Sequence, residues 1–554
     1  MILKKRIVSI LFLLILVFPM IFSACGPQAE PFTPRQELDQ ATMGGYDPII
    51  KITYARPWFS NMTQTLYDKG WTMEDNNWTS AIRADLGIKM QLVWSIADSA
   101  EYFAKLTGSI ASGAIPDITN IHAAPSAYDY LQMLENNDLL TNIWPYYEQY
   151  ASDELKECYE LAGEEVFYPA TFGGEIKALC SILGSENDSW SFYWIRKDWL
   201  DNLNMQVPTT FDEFVEVIKA FHDKDPDNDG INGNTYGIPF DASFFAYGAT
   251  IFNSHHAYLN TWVELEDGTL GFGSIQPEAK EALSTLRELY AGGYLDPEMT
   301  NYETAVKGGK CGIWPGQVHN GLFLQPVKDK NSNADFVPIR LLSVDDEEAR
   351  PQANINSYQY YTVNPSCKNP EVLVKLLNYY LYIGSLDSDD EYKKDMFTDE
   401  NAAELWQFAP VTVSKVGENF ERAKKVAEAL NDGTKENLKG TDADVYDWVM
   451  AYRNGDNSQW GWDKIYGGEQ SSEYLMGHYI ENGLYMTNKF VGNKSDNMQA
   501  TESDLNLLIT DGFLKIIRGE EPLDYFDVIV DSWENMGGKE NTEYVNDWYE
   551  NVKG

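Results

Sequence analysis

Three aspartates at alternating positions are the clearest candidate metal ligands in the chain. Asp225, Asp227 and Asp229 lie in the stretch DPDNDGINGNTYGIPF, and Gly230 follows the third aspartate directly. Carboxylates at loop positions 1, 3 and 5, followed by a glycine that permits a sharp turn, are typical of the start of a calcium-binding loop. An EF-hand places a bidentate glutamate at position 12, but that position is Tyr236 here. The spacing therefore predicts a calcium site that lacks one ligand of an EF-hand.

Two further oxygen donors could complete this site. The main-chain carbonyl of Ile231 and the side-chain amide of Asn234 follow the aspartates, and with them they supply roughly the oxygens that Ca²⁺ requires. The alternative is a metal-free turn rich in aspartate and asparagine. If calcium binds, we expect it to be structural, because it would fix a long loop and take no part in catalysis.

The N-terminal residues predict export and a lipid anchor. Residues 1–24 read MILKKRIVSILFLLILVFPMIFSA, a basic start followed by an apolar run, which is typical of a secretory signal peptide. The segment ends in FSAC, so that small residues precede Cys25, and this resembles the lipobox of bacterial lipoproteins, in which the cysteine is lipidated, with palmitate among the expected acyl groups. Residues 25–46 suit a flexible tether. Simple secretion and a retained transmembrane helix are the alternatives.

The composition excludes several classes of partner. The 554 residues include 85 acidic and 42 basic side chains, a net charge of −43 at pH 7, so we expect no nucleic acid and no anionic lipid surface as a partner. Beyond Cys25 there is no CxxC motif, so a zinc or thioredoxin-type site is not predicted. Buried thiols are the simplest interpretation of the other cysteines, although spacing does not reveal pairing: Cys158, Cys180, Cys311 and Cys367.

The sequence contains no recognisable catalytic motif. It has no GxSxG, no HExxH, no Walker-type glycine-lysine run and no GxGxxG. A glycoside hydrolase needs only a pair of carboxylates across a sugar, and 85 acidic residues always allow a pair to be proposed, so their number discriminates nothing. We therefore predict a protein that is not an enzyme.

The elements that must position these residues alternate between strand and helix. The predicted strands are residues 47–55, 88–95 and 116–123, and the predicted helices between them are residues 76–87 and 99–113. Such alternation indicates parallel β-α-β units, in which ligands meet the loops at the carboxyl ends of the strands. A further amphipathic helix, capped by Thr209 or Thr210, precedes the aspartate loop, and extended chain follows that loop.

Several segments resemble one protein family in the expected order. KLTGSIASGAIPDI (105–118) and FYWIRKDWLDNLNMQVPTTFDEFVEVIKAF (192–221) are similar to signatures of the bacterial extracellular solute-binding proteins. EALSTLRELYAGGYLDPEM (281–299), GGKCGIWPG (308–316) and YYTVNPSCKNPEVLVKLLNYY (360–380) resemble later blocks. Residues 513–554 resemble the C-terminus of large lipid-anchored, carbohydrate-type members, which include oligosaccharide- and alginate-binding proteins. Calcium-containing members of this kind also place a metal loop between a helix and a strand.

The resemblance implies an α/β protein with the two-lobe, type II periplasmic-binding fold. The ligand cleft would lie between lobes that close about a hinge. Lobe 1 is expected at residues 47–185 and 360–450, and lobe 2 at residues 186–359 and 451–554. The chain would therefore cross between the lobes near residues 185–192, 352–360 and 450.

The resemblance also implies a monomeric receptor for an ABC importer. It would capture an extracellular carbohydrate, most simply an oligosaccharide, and deliver it to the permease subunits from its lipid anchor on the outer face of the membrane. A peptide-binding receptor or adhesin, and less so a secreted glycoside-active enzyme, are the alternatives.

Aromatic rings pack against the C–H faces of sugars, so strand-end aromatics are the candidate ligand contacts. If SQWGWDK is extended, Trp460 and Trp462 face the same side and form one platform, and the small Gly461 lets the backbone approach the solute. The complete candidate set is Trp58, Trp94, His122, Phe245, Trp314, Trp460 and Trp462.

Overall fold

The computed structural model describes residues 37–58, 62–96, 99–122, 126–182, 191–240, 249–296, 302–353, 355, 357–386, 390–391 and 407–553. The strands are β1 Ile50–Pro57, β2 Ile88–Ile96, β3 Ile118–His122, β4 Thr171–Phe172, β5 Glu175–Ile176, β6 Ala178–Ile182, β7 Phe192–Arg196, β8 Trp262–Glu264, β9 Leu270–Phe272, β10 Ile313–Gly316, β11 Phe336–Arg340, β12 Gln352–Ala353, β13 Ser357–Val363 and β14 Met486–Thr487.

The α-helices are Gln40–Met43, Thr63–Lys69, Asn77–Leu86, Ser99–Ala111, Ser126–Asn136, Trp144–Tyr150, Asp153–Ala162, Lys197–Asn202, Phe211–Asp223, Ala249–Ser254, Pro277–Ala291, Tyr302–Lys307, Asn320–Lys330, Val372–Ser385, Glu418–Asp432, Thr441–Arg453, Trp460–Tyr466, Ser472–Asn482, Asp496–Arg518, Tyr525–Trp533 and Lys539–Lys553. Among the described helices, none combines the length and the apolar character that crossing a membrane requires.

Lobe 1, which comprises the described residues between 37 and 182 and between 357 and 414, is built on a five-stranded sheet with the order β2-β1-β3-β13-β6. β1 runs parallel to β2 and β3, whereas β13 is antiparallel to both of its neighbours. The helix Asn77–Leu86 begins at a capping box between Asn76 and Thr79 and ends at Gly87, whose φ is 61°. The predicted parallel β-α-β order is therefore confirmed for this part of the chain.

Two strands of the lobe 1 sheet are buried on both faces. Every residue of β3 and of β6 is buried, including the polar Thr119, Asn120 and His122 of β3. Such burial is typical of a sheet with a strong parallel component, which helices cover on both faces. The four cysteines beyond Cys25 are unpaired and buried thiols, as the simplest interpretation of the sequence had it.

Lobe 2, which comprises the described residues between 191 and 353 and between 418 and 553, is built on a smaller antiparallel sheet with the order β10-β7-β11. The central strand β7 is fully buried. Three long helices contribute side chains to the main core beside it, namely Phe211–Asp223, Pro277–Ala291 and Asp496–Arg518. Thr210 caps the first of them by accepting a hydrogen bond from the Glu213 backbone N–H, so one of the two predicted caps is correct.

The chain passes between the lobes at three places, and the third differs from the expected position near residue 450. The first two lie between β6 and β7 and between β12 and β13. At the third, the Ser414 N–H still donates to the Ile182 carbonyl in lobe 1. The helices Glu418–Asp432 and Thr441–Arg453 then pack with Ser472–Asn482 and with Trp460–Tyr466, in lobe 2. The third crossing is therefore at residues 414–418, because these helices bury their apolar faces against the C-terminal helices.

Candidate functional site

The carboxyl ends of three neighbouring strands bring Trp58, Trp94 and His122 to one edge of the lobe 1 sheet. Trp58 directly follows β1 and donates its backbone N–H to the Ile96 carbonyl at the end of β2. Trp94 lies on β2 opposite Ala55, and His122 ends β3. These positions agree with the predicted strand-end arrangement.

The ring of Trp94 is half-buried and keeps one polar atom without a partner. It packs against Tyr102 with ring centroids 5.2 Å apart. Its indole Nε1 is buried and has no hydrogen-bond partner among the described residues. Tyr102 in turn contacts Phe103, which stacks on Tyr130, so an aromatic row extends from β2 to the helix Ser126–Asn136.

A buried arginine lies beneath the same edge and was not predicted from the sequence. The Arg56 side chain donates to the carbonyl oxygens of Gln407, at 2.7 Å, and Ala409. Among the described residues it forms no ion pair with a carboxylate. The residue lies in ARPWFSN, two positions before Trp58, and its place near the end of a predicted strand is the sequence signal that indicates it.

His122 is a neutral hydrogen-bonding group at neutral pH. Its Nδ1 lies 3.5 Å from the Gln359 Oε1, at the limit of a hydrogen bond. Burial lowers the pKa of His122 to about 4, with the charge of Arg56 acting in the same direction and the Gln359 contact opposing it. A neutral imidazole suits the recognition of hydroxyl groups better than that of anions.

The candidate ligand residues of lobe 2 do not form one surface. Phe245 lies outside the described residues. Trp314 is buried in the core, where its Nε1 is 3.1 Å from the Asn320 Oδ1. Trp460 is completely buried beside Phe336. Trp314 and Trp460 therefore stabilise lobe 2 and present no free ring face to a solute.

The predicted tryptophan platform is wrong because its segment is helical. Trp460–Tyr466 is an α-helix, on which residues two positions apart point in nearly opposite directions. Trp460 accordingly faces the core, and Trp462 packs on Trp448 with centroids 4.6 Å apart. Gly461 lies against Gly321 of a neighbouring helix, so its small size serves helix packing and not the approach of a solute.

A cavity between the lobes contains groups that sequence reasoning missed. Its volume is about 380 Å³, and both lobes line it. The lobe 1 wall is the first half of the helix Ser126–Asn136, which begins four residues after β3. The lining is Tyr128, Asp129, Gln132, Asn260, Trp262, Phe272, Asn488, Phe490, Gly492, Asn493, Lys494, Met498, Glu502, Leu505, Asn506, Trp533 and Asn541.

An ion-paired lysine joins the two lobes at this cavity. The Lys494 ammonium in lobe 2 lies 3.0 Å from the Asp129 carboxylate in lobe 1 and 2.8 Å from the Glu502 carboxylate. Burial works to lower the pKa of Lys494, but the hydrogen bond to Glu502 and the charge of Asp129 outweigh it and raise that pKa. The stretch NKFVGNKSDN (488–497) was the available sequence signal, since it places several amides around this lysine.

The aspartate loop gathers its carboxylates as the spacing predicts. One oxygen from each of Asp225, Asp227 and Asp229 lies within 4.8 Å of the others. The Asp225 carboxylate accepts backbone N–H bonds from Asp229, at 3.0 Å, and Gly230, at 2.9 Å. Burial raises the pKa of Asp227, and a hydrogen bond with Asp225 and the nearby charge of Asp229 add to the effect.

The other proposed ligands also lie at this loop. The Asn234 Nδ2 donates to the Asp229 carboxylate at 2.7 Å, while the Asn234 Oδ1 is buried and has no hydrogen-bond partner among the described residues. The Ile231 N–H donates to Asp229 at 2.8 Å. Crowded carboxylates and an unpaired amide oxygen fit a hard cation such as Ca²⁺, which prefers oxygen ligands.

Comparison with known proteins finds a matching family model and a related carbohydrate-binding protein. The model of the family described as bacterial extracellular solute-binding protein matches residues 76–381. The polygalacturonan/rhamnogalacturonan-binding protein YtcQ of Bacillus subtilis (strain 168) is 24% identical over 371 residues, which cover 65% of this chain and 68% of YtcQ.

Solved structures show the same fold over most of the chain. The crystal structure of the alginate-binding protein AlgQ2 without calcium ion is 14% identical with a TM-score of 0.59, covering 91% of this chain and 99% of that one. The structure of an EF-hand mutant of FusA, a substrate-binding protein of an ABC transporter from S. pneumoniae, in complex with fructo-nystose is 16% identical with a TM-score of 0.56, covering 91% and 99%. The predicted two-lobe, type II periplasmic-binding fold is confirmed.

Proposed function

The chain belongs to the bacterial extracellular solute-binding proteins, and from this membership we propose that it is the carbohydrate receptor of an ABC importer. It captures an oligosaccharide between its lobes and delivers it to the permease subunits. As in other two-lobe receptors, closure about the hinge would enclose the solute. The expectation that the receptor acts as a monomer is part of this proposal.

The ligands of similar proteins support the proposal that this chain binds a carbohydrate. YtcQ is a polygalacturonan/rhamnogalacturonan-binding protein, AlgQ2 binds alginate, and the FusA structure holds fructo-nystose. These proteins differ in the charge of their ligands, so they support the carbohydrate class and not a particular sugar.

The cavity between the lobes is the observation that carries the proposal. Amide side chains and aromatic rings from separate segments converge on it, and its volume falls within the range of about 300–1,000 Å³ that is usual for ligand pockets. Amides can pair with hydroxyls while aromatic rings cover the C–H faces of a sugar. Trp94 and His122, at the strand ends of lobe 1, are proposed to extend this surface.

Titration of the purified protein against an oligosaccharide panel tests the proposal. Intrinsic tryptophan fluorescence and calorimetry should both detect saturable binding of at least one member, and Trp58→Ala and Trp94→Ala should weaken it. A peptide panel of matched size is the control for the alternative receptor class. Binding of peptides without binding of any carbohydrate would contradict the proposal.

The alternative of a glycoside-active enzyme has less support. The family and the solved structures compared here are those of binding proteins. The test is to incubate the protein with each bound oligosaccharide and to analyse the products by chromatography. Recovery of the intact oligosaccharide is the expected result, and shortened products would favour the enzyme.

We propose that lipid on Cys25 anchors the protein at the outer face of the membrane. Cys25 lies outside the described residues, and the support is the order of basic, apolar and small residues before it. Metabolic labelling with a tagged palmitate should mark the wild type, whereas Cys25→Ala should remain unlabelled and leave the membrane. Equal labelling of both proteins would refute the anchor.

We propose that the loop at residues 225–234 holds a structural Ca²⁺. Asp225, Asp227 and Asp229 would supply carboxylate oxygens, with the Ile231 carbonyl and the Asn234 amide oxygen beside them. The unpaired Asn234 oxygen supports this assignment, and FusA, which shares the fold, has an EF-hand. Elemental analysis of the purified protein should find calcium, and its absence from protein prepared in calcium-containing buffer would count against the site.

A further inference from the structure

The charges around the cavity between the lobes are unequal. Two carboxylates, Asp129 and Glu502, face a single ammonium, Lys494, at 3.0 Å and 2.8 Å. No other lysine, arginine or histidine is part of the described lining. The described part of the lining therefore carries one excess negative charge, and the one cation within it is already paired with two carboxylates.

The amides of the cavity have hydrogen-bonding capacity to spare. The side chains of Gln132, Asn493 and Asn506 make no hydrogen bond to other residues in the described part of the chain. The Asn488 Oδ1 accepts from the backbone N–H groups of Trp262, at 3.0 Å, and Phe490, at 3.3 Å, which fixes the orientation of its amide. Neutral amides that both donate and accept are suited to hydroxyl groups, which do the same.

One wall of the cavity is apolar and aromatic. Phe272 and Trp533 stack with centroids 5.2 Å apart and an interplanar angle of 8°. Trp262 packs against Phe272 at 5.2 Å. Trp262 and Trp533 are themselves buried, so the partly buried Phe272 is the ring of this wall that can meet the C–H face of a sugar. The wall offers no counter-charge for an anion.

We propose that this cavity binds an uncharged sugar unit of the captured oligosaccharide and discriminates against a uronate. The inference rests on the proposed function and specifies its ligand class. A carboxylate in place of a hydroxymethyl group would lose its hydration and meet the negative charges of Asp129 and Glu502, with Lys494 already engaged. A neutral unit keeps its hydroxyls paired with Gln132 and Asn493.

Matched oligosaccharides that differ only in charge test the discrimination. The panel pairs galactose oligomers with galacturonate oligomers, and glucose or xylose oligomers with their glucuronate-bearing counterparts, and each is titrated against the purified protein by calorimetry. A neutral member should bind at least tenfold more tightly than its uronate counterpart. Equal or tighter binding of a uronate overturns the inference and leaves the carbohydrate receptor intact, whereas failure of every carbohydrate overturns the proposed function itself.

Variants of the cavity test the location of the binding. Gln132→Ala and Asn493→Ala remove amides that make no internal hydrogen bond, so thermal melting should be unchanged while affinity for the neutral ligand falls roughly tenfold. Gln149→Ala, an exposed glutamine on another helix of lobe 1, is the matched control and should bind as wild type does. Wild-type affinity in both cavity variants overturns the assignment.

A charge variant tests whether the negative charges of Asp129 and Glu502 cause the discrimination. The double variant Asp129→Asn with Glu502→Gln keeps the shape of the lining but leaves Lys494 as its one charged side chain, so that the net charge of the described lining changes from −1 to +1. The ratio of neutral to uronate affinity should fall at least threefold relative to wild type. An unchanged ratio in a folded variant, shown by an intact cooperative melt, overturns the electrostatic explanation.

Discussion

At the residue scale, burial separates the half-buried Trp94 from other tryptophans chosen by the same argument. Trp94 and His122 were placed correctly at strand ends, because the end of a strand can be read from local apolar pattern. Trp314 was chosen by the same argument and lies in the core. Residue type does not distinguish a core tryptophan from one at a ligand site. The sequence around a tryptophan is the same whether a helix or a solute covers its ring. The covering elements come from segments far away in sequence.

Replacing His122 with glutamine should reduce the loss of unfolding free energy at acid pH. Its pKa is about 4 in the folded protein against an ordinary value of 6.5, so the unfolded chain binds more protons between these values. The contribution of His122 to the free energy of unfolding is therefore fully present above pH 6.5. It is lost as the pH falls toward 4, and at pH 5 the loss is about 2 kcal/mol. We expect His122→Gln to remove that part of the decline.

Urea unfolding at pH 7 and pH 5 measures this effect. The difference in unfolding free energy between the two pH values should be smaller in His122→Gln than in wild type. A control variant, Gln149→Ala, should keep the wild-type difference. If both variants show the full decline, then His122 is not among the groups that cause it.

At the element scale, prediction succeeded where a local signal repeats and failed where packing chooses the conformation. The helix Asn77–Leu86 was predicted nearly to the residue, because its capping box and terminal glycine are encoded locally. SQWGWDK has no such repeat, and alternation suggested a strand. The segment is an α-helix, and Gly461 lets that helix lie close against Gly321. That close approach depends on a partner that is more than 100 residues away and is invisible in the local pattern.

Replacing Gly461 should test this helix contact. A Cβ at this position would lie 2.9 Å from the Gly321 carbonyl oxygen, which belongs to the backbone and cannot easily move. We expect Gly461→Ala to cost roughly 1–3 kcal/mol, as overpacking typically does. Gly384→Ala is the matched control, because it lies in a helix with nothing near its Cβ and should be neutral or slightly stabilising. Chemical denaturation measures the free energy of unfolding of both variants. Equal losses in the two variants would contradict the close contact between Gly461 and Gly321.

Removing calcium should destabilise the loop at residues 225–234. A metal that binds only the folded state adds stability, about 2.7 kcal/mol at 100 times its Kd, so chelation should lower the Tm. Asp227→Asn should abolish most of the difference between the Tm with calcium and with chelator. Asp547→Asn, an exposed aspartate on the C-terminal helix, should keep the full difference. If chelator leaves the Tm unchanged in the wild type and in both variants, the loop is a metal-free turn.

At the scale of the whole molecule, the order of family blocks predicted two lobes but not all of their boundaries. The first two crossings between the lobes follow strands whose apolar pattern is plain in the sequence. The third was expected near residue 450 and lies at residues 414–418, because amphipathic helices carry no mark of which core they cover. The cavity was missed for the same reason, since Asp129 and Lys494 meet only after both lobes have formed.

Lys494 should influence how the lobes are arranged before any ligand binds. Its ammonium bridges Asp129 of lobe 1 and Glu502 of lobe 2, and its side chain is only 24% exposed, so the contact is partly shielded from salt. We expect Lys494→Gln to favour a more open arrangement and to lower ligand affinity about two- to fivefold, the range that about 0.5–1 kcal/mol implies.

Lys280→Gln is the matched control for this variant. Lys280 has the same 24% exposure and also pairs with two carboxylates, Asp524 and Asp527, but both lie in its own lobe. Small-angle X-ray scattering of the ligand-free proteins should show a larger radius of gyration for Lys494→Gln alone, and raised salt should move wild type toward that value. Identical scattering from the two lysine variants would mean that this ion pair does not hold the lobes together.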